Sequence, residues 1–273
     1  MKKVFGGVGL VLIAALASFA CGSSSSREGF DDTAAGNNGA SGNGDNANAN
    51  GNLGNAPPPA APAEKTECEK MDIVFIVDDS GSMQEEQANL AANFPKFVSK
   101  IDSFKTKSGS KLDWRIAVTT TGRNLNYKIS MPIGGGTMPM SEKGDDGAFR
   151  MKSECGTTKR WVEKADAQPT QEFQCLAKVG TGGSSIEMPL LATKLATVDR
   201  VSDGTNKGFL RDDALLAVVI LTDEDDCSRE DNDFTIQNDS CETMQNVKPV
   251  ADYKTAFDNV AHGAGRWATA VIA

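Results

Sequence analysis

Four short runs along the chain are rich in apolar and β-branched residues. They cover residues 71–78, 114–121, 217–221 and 267–273. Continuous apolar runs of this kind are typical of strands that are buried on both faces of a parallel sheet. Between the runs, apolar residues recur near helical spacing over residues 84–104, 186–198 and 251–262. Strands that alternate with helices predict an α/β fold in which helices flank a doubly wound, mostly parallel sheet.

Residues 122–178 interrupt this alternation. The stretch is rich in Gly, Met and Lys and shows neither a strand period nor a helix period. A segment of this length inside a compact domain is either functional or contains elements that the pattern does not reveal. We interpret it as an insertion. The last apolar run reaches Ala273 without a helix to cover it, so we expect the final helix of the domain to be missing from this sequence.

The first part of the chain lacks the features of a folded domain. Lys2 and Lys3 precede an apolar run over residues 4–17 that is too short to span a bilayer, and this layout predicts an export signal over residues 1–21. Residues 22–66 are mainly Gly, Asn, Ser, Ala and Pro, a composition that cannot bury a core. We therefore expect a disordered linker, followed by one folded domain over residues 67–273.

Small residues at Ser18 and Ala20 suit cleavage immediately before Cys21. This segment resembles a bacterial lipobox. The resemblance implies that Cys21 is lipidated and that the exported protein is anchored to the cell envelope, at the outer membrane or the cell surface. Ser18 stands where a lipobox usually has an aliphatic residue, so ordinary signal cleavage that leaves a free Cys21 is the alternative.

Acidic residues outnumber basic ones, and the formal net charge is −9. This charge argues against nucleic acid or an anionic membrane surface as a partner. It favours cations or basic partners instead. Membrane attachment is therefore expected only through the lipid anchor.

Five cysteines follow the predicted export signal, namely Cys68, Cys155, Cys175, Cys227 and Cys241. In an exported protein they predict disulfides, because none of them forms the close pair of a zinc site. The economical local pairings are Cys155 with Cys175, which would staple the insertion, and Cys227 with Cys241. Cys68 is then left over, and we expect its partner to lie beyond the end of the sequence.

Two of the predicted strands end in acidic loops. VDDSGSM occupies residues 77–83, and LTDEDD occupies residues 221–226. Ligands of doubly wound sheets gather at the carboxyl ends of the strands. A turn that leaves a strand projects alternate side chains the same way, so Asp78, Ser80 and Ser82 can converge on one point. Asp223 approaches them if the two strands are neighbours in the sheet.

The loops that follow these strands resemble a known metal site. Residues 78–82 (DDSGS) resemble the DxSxS signature of the metal-ion-dependent adhesion site in von Willebrand factor type A (VWA) and integrin I domains. GGSSIEMPL at residues 182–190 is similar to the second loop of that site, and LTDED at residues 221–225 is similar to the third. A DxSxS motif alone is weak evidence for such a metal site, but here all three loops occur in the family's order. The resemblance implies a Rossmann-like VWA fold.

The resemblance also implies a set of metal ligands. Ser80 and Ser82 are expected to bind the metal directly, and Ser184 takes the position of the family's threonine. Asp78 and Asp223 are expected to hold ordered waters. Mg²⁺ suits such hard oxygen ligands, and Mn²⁺ or Ca²⁺ would serve as well. Because few carboxylates bind directly, the metal stays electrophilic, and the family supplies its last ligand from an acidic side chain of a partner protein or other ligand.

This sequence departs from the family pattern at two positions. Ser184 replaces threonine, which keeps the hydroxyl but loses the methyl group, and Thr181 or Ser185 could take its role. Glu224 replaces the usual glycine after Asp223 and adds negative charge to the site.

Helix capping is an alternative role for two of these serines. Ser82 with Glu85, and Ser184 with Glu187, both fit the capping box. Glu85 and Glu86 occupy the place where integrin β chains have a second cation site. Acidic residues in a first helical turn are also favoured by the helix dipole alone.

Three functions are compatible with the sequence. The leading one is metal-dependent binding of the adhesion type, without catalysis. A metal-assisted hydrolase is the alternative, with Asp225 or Asp226 as the candidate general base. His262 is the only histidine, so a catalytic triad would have to recruit it alone. The third possibility is a structural envelope lipoprotein with a degenerate metal site.

Overall fold

The computed structural model describes residues 68–131, 134–236, 241 and 246–273. The predicted export signal, Cys21 and the predicted linker over residues 22–66 lie outside the described residues. No helix within these described segments is long and apolar enough to cross a membrane.

Strands and helices alternate along much of the described chain. The strands are β1 (Lys70–Val77), β2 (Asp113–Thr120), β3 (Leu125–Ser130), β4 (Thr137–Glu142), β5 (Val162–Glu163), β6 (Ala214–Leu221), β7 (Thr235–Ile236) and β8 (Trp267–Ile272). The α-helices are α1 (Gln84–Ser103), α2 (Pro169–Leu176), α3 (Pro189–Lys194), α4 (Arg200–Ser202) and α5 (Val250–Val260). A π-helical segment, Leu195–Asp199, joins α3 to α4.

The central sheet has five strands in the order β5-β2-β1-β6-β8. β2, β1, β6 and β8 run parallel, and β5 pairs antiparallel with β2 at one edge. All eight residues of β6 are buried, as the continuous apolar run predicted. The four predicted strands are therefore present, and a mostly parallel α/β sheet is confirmed.

Helices cover both faces of this sheet. Successive side chains of a strand point to opposite faces, and β1 shows this alternation. Phe75 packs with Phe94 of α1 and Phe173 of α2 on one face. Val74 and its neighbours on the other face pack with Ala192 of α3. Both faces of β1 are thus covered, and its carboxyl end leads into a loop.

The second predicted helix begins later than its apolar spacing suggested. The prediction began it at Ile186, but α3 begins at Pro189. Proline disfavours helical backbone in the residue before it, and Met188, with φ −131° and ψ 56°, is not helical. Proline itself suits the first helical position. Residues 182–188 are therefore free to form a loop at the end of the sheet.

Residues 122–178 are more regular than their sequence pattern indicated. They contain β3, β4, β5 and α2. β3 and β4 pair antiparallel, and β3 also pairs with β7 to form a second sheet of three strands. β4 is largely exposed and contains Pro139, so its sequence lacks the apolar run or the alternation that marks a strand.

Disulfides join Cys155 to Cys175 and Cys227 to Cys241, so both predicted local pairings are present. The first links the turn before β5 to α2. Cys68 is also disulfide-bonded. Disulfides persist in oxidising compartments, and they favour an exported protein.

Candidate functional site

The carboxyl ends of β1 and β6 lie side by side. Val77, the last residue of β1, is in register with Leu221, the last residue of β6. The backbone N–H of Asp78 continues the ladder by donating to the carbonyl oxygen of Leu221, at 2.9 Å. The DDSGS loop and the TDED loop therefore leave the sheet from adjacent positions. This adjacency is the condition under which Asp223 was predicted to approach the first loop.

Asp78 is fully buried at the base of the first loop, and both of its carboxylate oxygens accept hydrogen bonds. The backbone N–H of Ser80 donates to Oδ1 at 2.8 Å, and the hydroxyl of Thr222 donates to Oδ2 at 2.7 Å. Because its donors come from both loops, Asp78 fixes one loop against the other. Thr222 was not among the predicted site residues.

A chain of oxygens runs from the first loop to the third. Ser80 Oγ and Ser82 Oγ lie 3.2 Å apart, and Ser82 Oγ donates to Asp223 Oδ1, also at 3.2 Å. Ser80 is buried, whereas Ser82 and Asp223 are exposed. Four of the five predicted ligands, including Asp78, are thus brought together at a solvent-accessible edge.

The second loop is held against the first by backbone and side-chain contacts. The backbone N–H of Gly183 donates to the carbonyl oxygen of Asp79 at 2.8 Å. Gln87, from α1, donates to the carbonyl oxygens of Asp78 at 2.9 Å and Gly180 at 2.7 Å. It also accepts from the N–H of Gly180 at 3.1 Å. No local pattern indicates this buried glutamine bridge, because it joins α1 to Gly180, 93 positions further along the chain.

Ser184, the fifth predicted ligand, has different partners. Its hydroxyl is hydrogen-bonded to a carboxylate oxygen of Glu142, at the end of β4, and it accepts from the backbone N–H of Ile186 at 3.0 Å. Among the described residues, no hydrogen bond joins it directly to the other four predicted ligands. Ser185, named above as a possible substitute, donates to Glu142 Oε1 at 2.9 Å. The second loop is therefore adjacent to the site, with its serines turned to Glu142.

Capping does not explain the serines of the first two loops. α1 is capped by Met83 and α3 by Met188, and neither helix has a side-chain cap hydrogen bond. The capping-box interpretation of Ser82 and Ser184 is therefore wrong. Their hydroxyls contact Asp223 and Glu142 instead.

Two buried carboxyl groups lie beside the predicted ligands. Burial, followed by the charge of Asp145, raises the pKa of Asp79 to about 7, and its Oδ1 has no hydrogen-bond partner among the described residues. Burial raises the pKa of Glu187 to about 8, although the hydroxyl of Thr121 donates to Oε2. Its Oε1 has no partner among the described residues either. Glu187 therefore favours the protonated form near neutral pH, whereas Asp79 is about equally protonated and ionised there.

The donor set suits a hard divalent cation. Two ligand oxygens at about 2.1 Å from Mg²⁺ and at right angles lie about 3.0 Å apart, which is close to the observed spacing of the serine and aspartate oxygens. In the described part of the chain, no group of three or more His, Cys, Asp or Glu side chains is placed to hold a metal. The candidate site differs from such a group, because serine hydroxyls make up most of its predicted ligands.

No protein-family model matches the chain, and no curated protein matches it either. Three solved structures show a distant likeness. Proximal thread matrix protein 1 from the mussel byssus is 11% identical, with TM-score 0.35, over 74% of this chain and 37% of that protein. The pilus adhesin SpaC from Lactobacillus rhamnosus GG is 15% identical, with TM-score 0.29, over 56% of this chain and 14% of that one. The pilus adhesin RrgA from Streptococcus pneumoniae is 11% identical, with TM-score 0.31, over 58% and 21%.

The chain thus spans well under half the length of each of these proteins. At such TM-scores the likenesses are distant, and the function proposed below depends on the residues of the site itself.

Proposed function

We propose that this domain is a VWA-type binding module that holds a divalent cation and, through it, an acidic group of a ligand. Asp78, Ser80, Ser82, Ser184 and Asp223 are the proposed ligands, with Mg²⁺ preferred and Mn²⁺ or Ca²⁺ able to replace it. The observation that carries the proposal is the oxygen chain from Ser80 through Ser82 to Asp223, at spacings of 3.2 Å. It lies at the carboxyl edge of a parallel sheet, where such folds bind ligands.

The bound cation would supply an electrophilic position for an incoming carboxylate oxygen. Ser80 and Ser82 would bind it through neutral hydroxyls, and Asp223 would balance part of its charge. Asp78 would contribute less directly, because both of its oxygens already accept hydrogen bonds from the loops. Such a site retains most of the positive charge of the cation, which favours an acidic partner.

We propose binding rather than hydrolysis because of the position of Asp226. This candidate base accepts from the backbone N–H of Leu190 at 3.1 Å and from the hydroxyl of Ser228 at 2.7 Å. Its carboxylate thus stabilises the first turn of α3. Asp225 is then the remaining candidate base from the sequence.

An exported, lipid-anchored position is part of the proposal. Lipidation of Cys21 and a linker over residues 22–66 would place the domain away from the membrane surface. The two disulfides of the domain suit this location.

Calorimetric titration of the purified protein with Mn²⁺ tests the metal site. We expect one bound Mn²⁺ and at least about tenfold weaker binding in Asp223→Ala, which corresponds to about 1.4 kcal/mol. Asp225→Ala is the matched control, because it removes the same charge from the same exposed loop and should change the affinity little. Equal losses in the two variants would mean that only the general negative charge matters. No Mn²⁺ binding by the unmodified protein would refute the proposal.

A further inference from the structure

A single carboxylate from the second sheet reaches the candidate metal site. Glu142 is the last residue of β4, and its two oxygens meet three hydroxyl groups. Tyr127 donates to Oε1 at 2.7 Å, and Ser185 donates to the same oxygen at 2.9 Å. The hydroxyl of Ser184 is bonded to Oε2. An acidic group is therefore already in place on a proposed metal ligand.

The position of Glu142 is fixed by the strands around it. It pairs with Leu125 at the start of β3, and Leu125 is buried. Tyr127, two residues along β3, is also buried and stacks on Phe234, with ring centroids 5.3 Å apart. Since Tyr127 is held in this way, its hydroxyl defines where the Glu142 carboxylate lies. This contact is therefore part of a packed structure and not a chance meeting of surface side chains.

The charge of Glu142 is not balanced by a basic group. Among the described residues no lysine or arginine forms an ion pair with it, and its hydrogen-bond partners are the hydroxyls of Tyr127, Ser184 and Ser185. The nearby buried carboxyls of Asp78 and Asp79 add acidic groups to the same region. Neutral hydroxyl donors stabilise a carboxylate less than a positive charge does. A cation bound at Ser184 would supply the missing positive charge.

We propose that Glu142 is an internal acidic ligand of the cation site. When the cation is bound, this carboxylate takes the position that the proposed function assigns to the acidic group of a partner, so the domain is capped by its own chain. A partner must then displace the end of β4 to reach the metal. The inference depends on the proposed function, because without a cation the three hydroxyl contacts would merely anchor β4.

The geometry supports a direct ligand. A carboxylate oxygen of Glu142 contacts the Ser184 hydroxyl directly, so these two oxygens are close enough to serve as neighbouring ligands of one cation. Sequence pattern alone could not reveal this residue, since it lies in the stretch that shows no periodicity.

The test uses Mn²⁺ bound to the full chain, with Glu142→Gln as the variant. Glutamine keeps the length of the side chain and an oxygen acceptor for Tyr127 but removes the charge. Glu154→Gln is the matched control, because Glu154 is an exposed acid outside this cluster. We expect Glu142→Gln to weaken Mn²⁺ binding about tenfold or more in calorimetry, while the control variant binds like the unmodified protein.

Water-proton relaxation of the bound Mn²⁺ gives the second measurement. Loss of the internal ligand should open one position to water, so relaxation should be faster in Glu142→Gln than in the unmodified protein. Acetate, used as a small acidic probe, should slow relaxation in the variant and leave the unmodified protein unchanged.

The outcomes separate this inference from the proposed function. If the unmodified protein and Glu142→Gln bind Mn²⁺ with equal affinity and equal relaxation, Glu142 is not a ligand, and the metal site stands without it. If no form of the protein binds Mn²⁺, the proposed function fails and this inference fails with it.

Discussion

Gly183 lies so close to Asp79 that there is no room for a Cβ atom at this position. A Cβ added there would lie 2.5 Å from Asp79 Oδ2 and closer still to Cγ and Oδ1 of the same carboxyl group. Asp79 cannot easily move away, because it is only 8% exposed. A Cβ at Gly122, on the other side, would lie 3.4 Å from Asp79 Oδ1. Gly183→Ala should therefore force the first and second loops apart.

The expected cost follows from the overpacking of a close contact. Such substitutions usually destabilise a protein by about 1–3 kcal/mol, and a similar loss is expected here. Gly182→Ala is the matched control, because a Cβ at that position meets nothing within 4 Å. A glycine replaced at an unstrained position is neutral or gains about 0.4–1 kcal/mol. The two adjacent variants should thus change stability in different directions.

Urea denaturation followed by circular dichroism measures both variants. A double-mutant cycle with Asp79→Ala identifies the cause, since removal of the carboxyl group should make room for the new methyl. On that background Gly183→Ala should cost much less than it does alone. Equal stability of Gly183→Ala and Gly182→Ala, or an equal cost of Gly183→Ala with and without the Asp79 carboxyl, would refute the clash as the reason for this glycine.

Two further predictions concern buried charges. The pKa of Glu187 rises from 4.5 to about 8 on folding, chiefly through burial, so the folded state holds this proton more tightly. Stability in the absence of metal should fall as the pH rises from about 4.5 to 8, and Glu187→Gln should flatten that fall in urea melts at pH 5 and pH 8. The guanidinium of Arg211 donates to Oδ1 of buried Asp72, while the backbone N–H of Arg211 donates to Oδ2. Arg211→Ala removes the charged partner and keeps the backbone bond, and it should lose about 3–5 kcal/mol in the same assay. Lys70→Ala, which breaks a surface pair, should lose less than about 1 kcal/mol, and similar losses in the two variants would contradict this account.

The main sheet was predictable because its strands are buried on both faces. β1 and β6 carry continuous apolar runs, and their boundaries are visible in the sequence as the change from apolar residues to DDSGS and TDED. α1 was predicted for a similar reason, since Phe94, Val98 and Ile101 repeat at helical spacing and are buried. Burial of this kind can be predicted from neighbouring residues, because it produces an apolar run or an apolar repeat.

The strands of the second sheet do not show such a pattern in the sequence. β3 and β4 pack only part of their surface, and β4 has no buried residue. β3 also pairs with β7, which lies more than a hundred residues further along in sequence. Without a buried face on β4, neither alternation nor an apolar run could distinguish this strand from an irregular loop.

The sequence by itself determined the acidic loops and the strands that carry them, because both are written in neighbouring residues. Only the tertiary structure decided that β1 and β6 are adjacent, which brings Ser82 within reach of Asp223. It also decided that Ser184 meets Glu142, a contact across 42 positions of the chain. Strand order and register set such contacts, and a hydrophobic pattern records only which side of each element is buried. The candidate ligands could therefore be predicted from the sequence, whereas the contact of Ser184 with Glu142 could be found only in the tertiary structure.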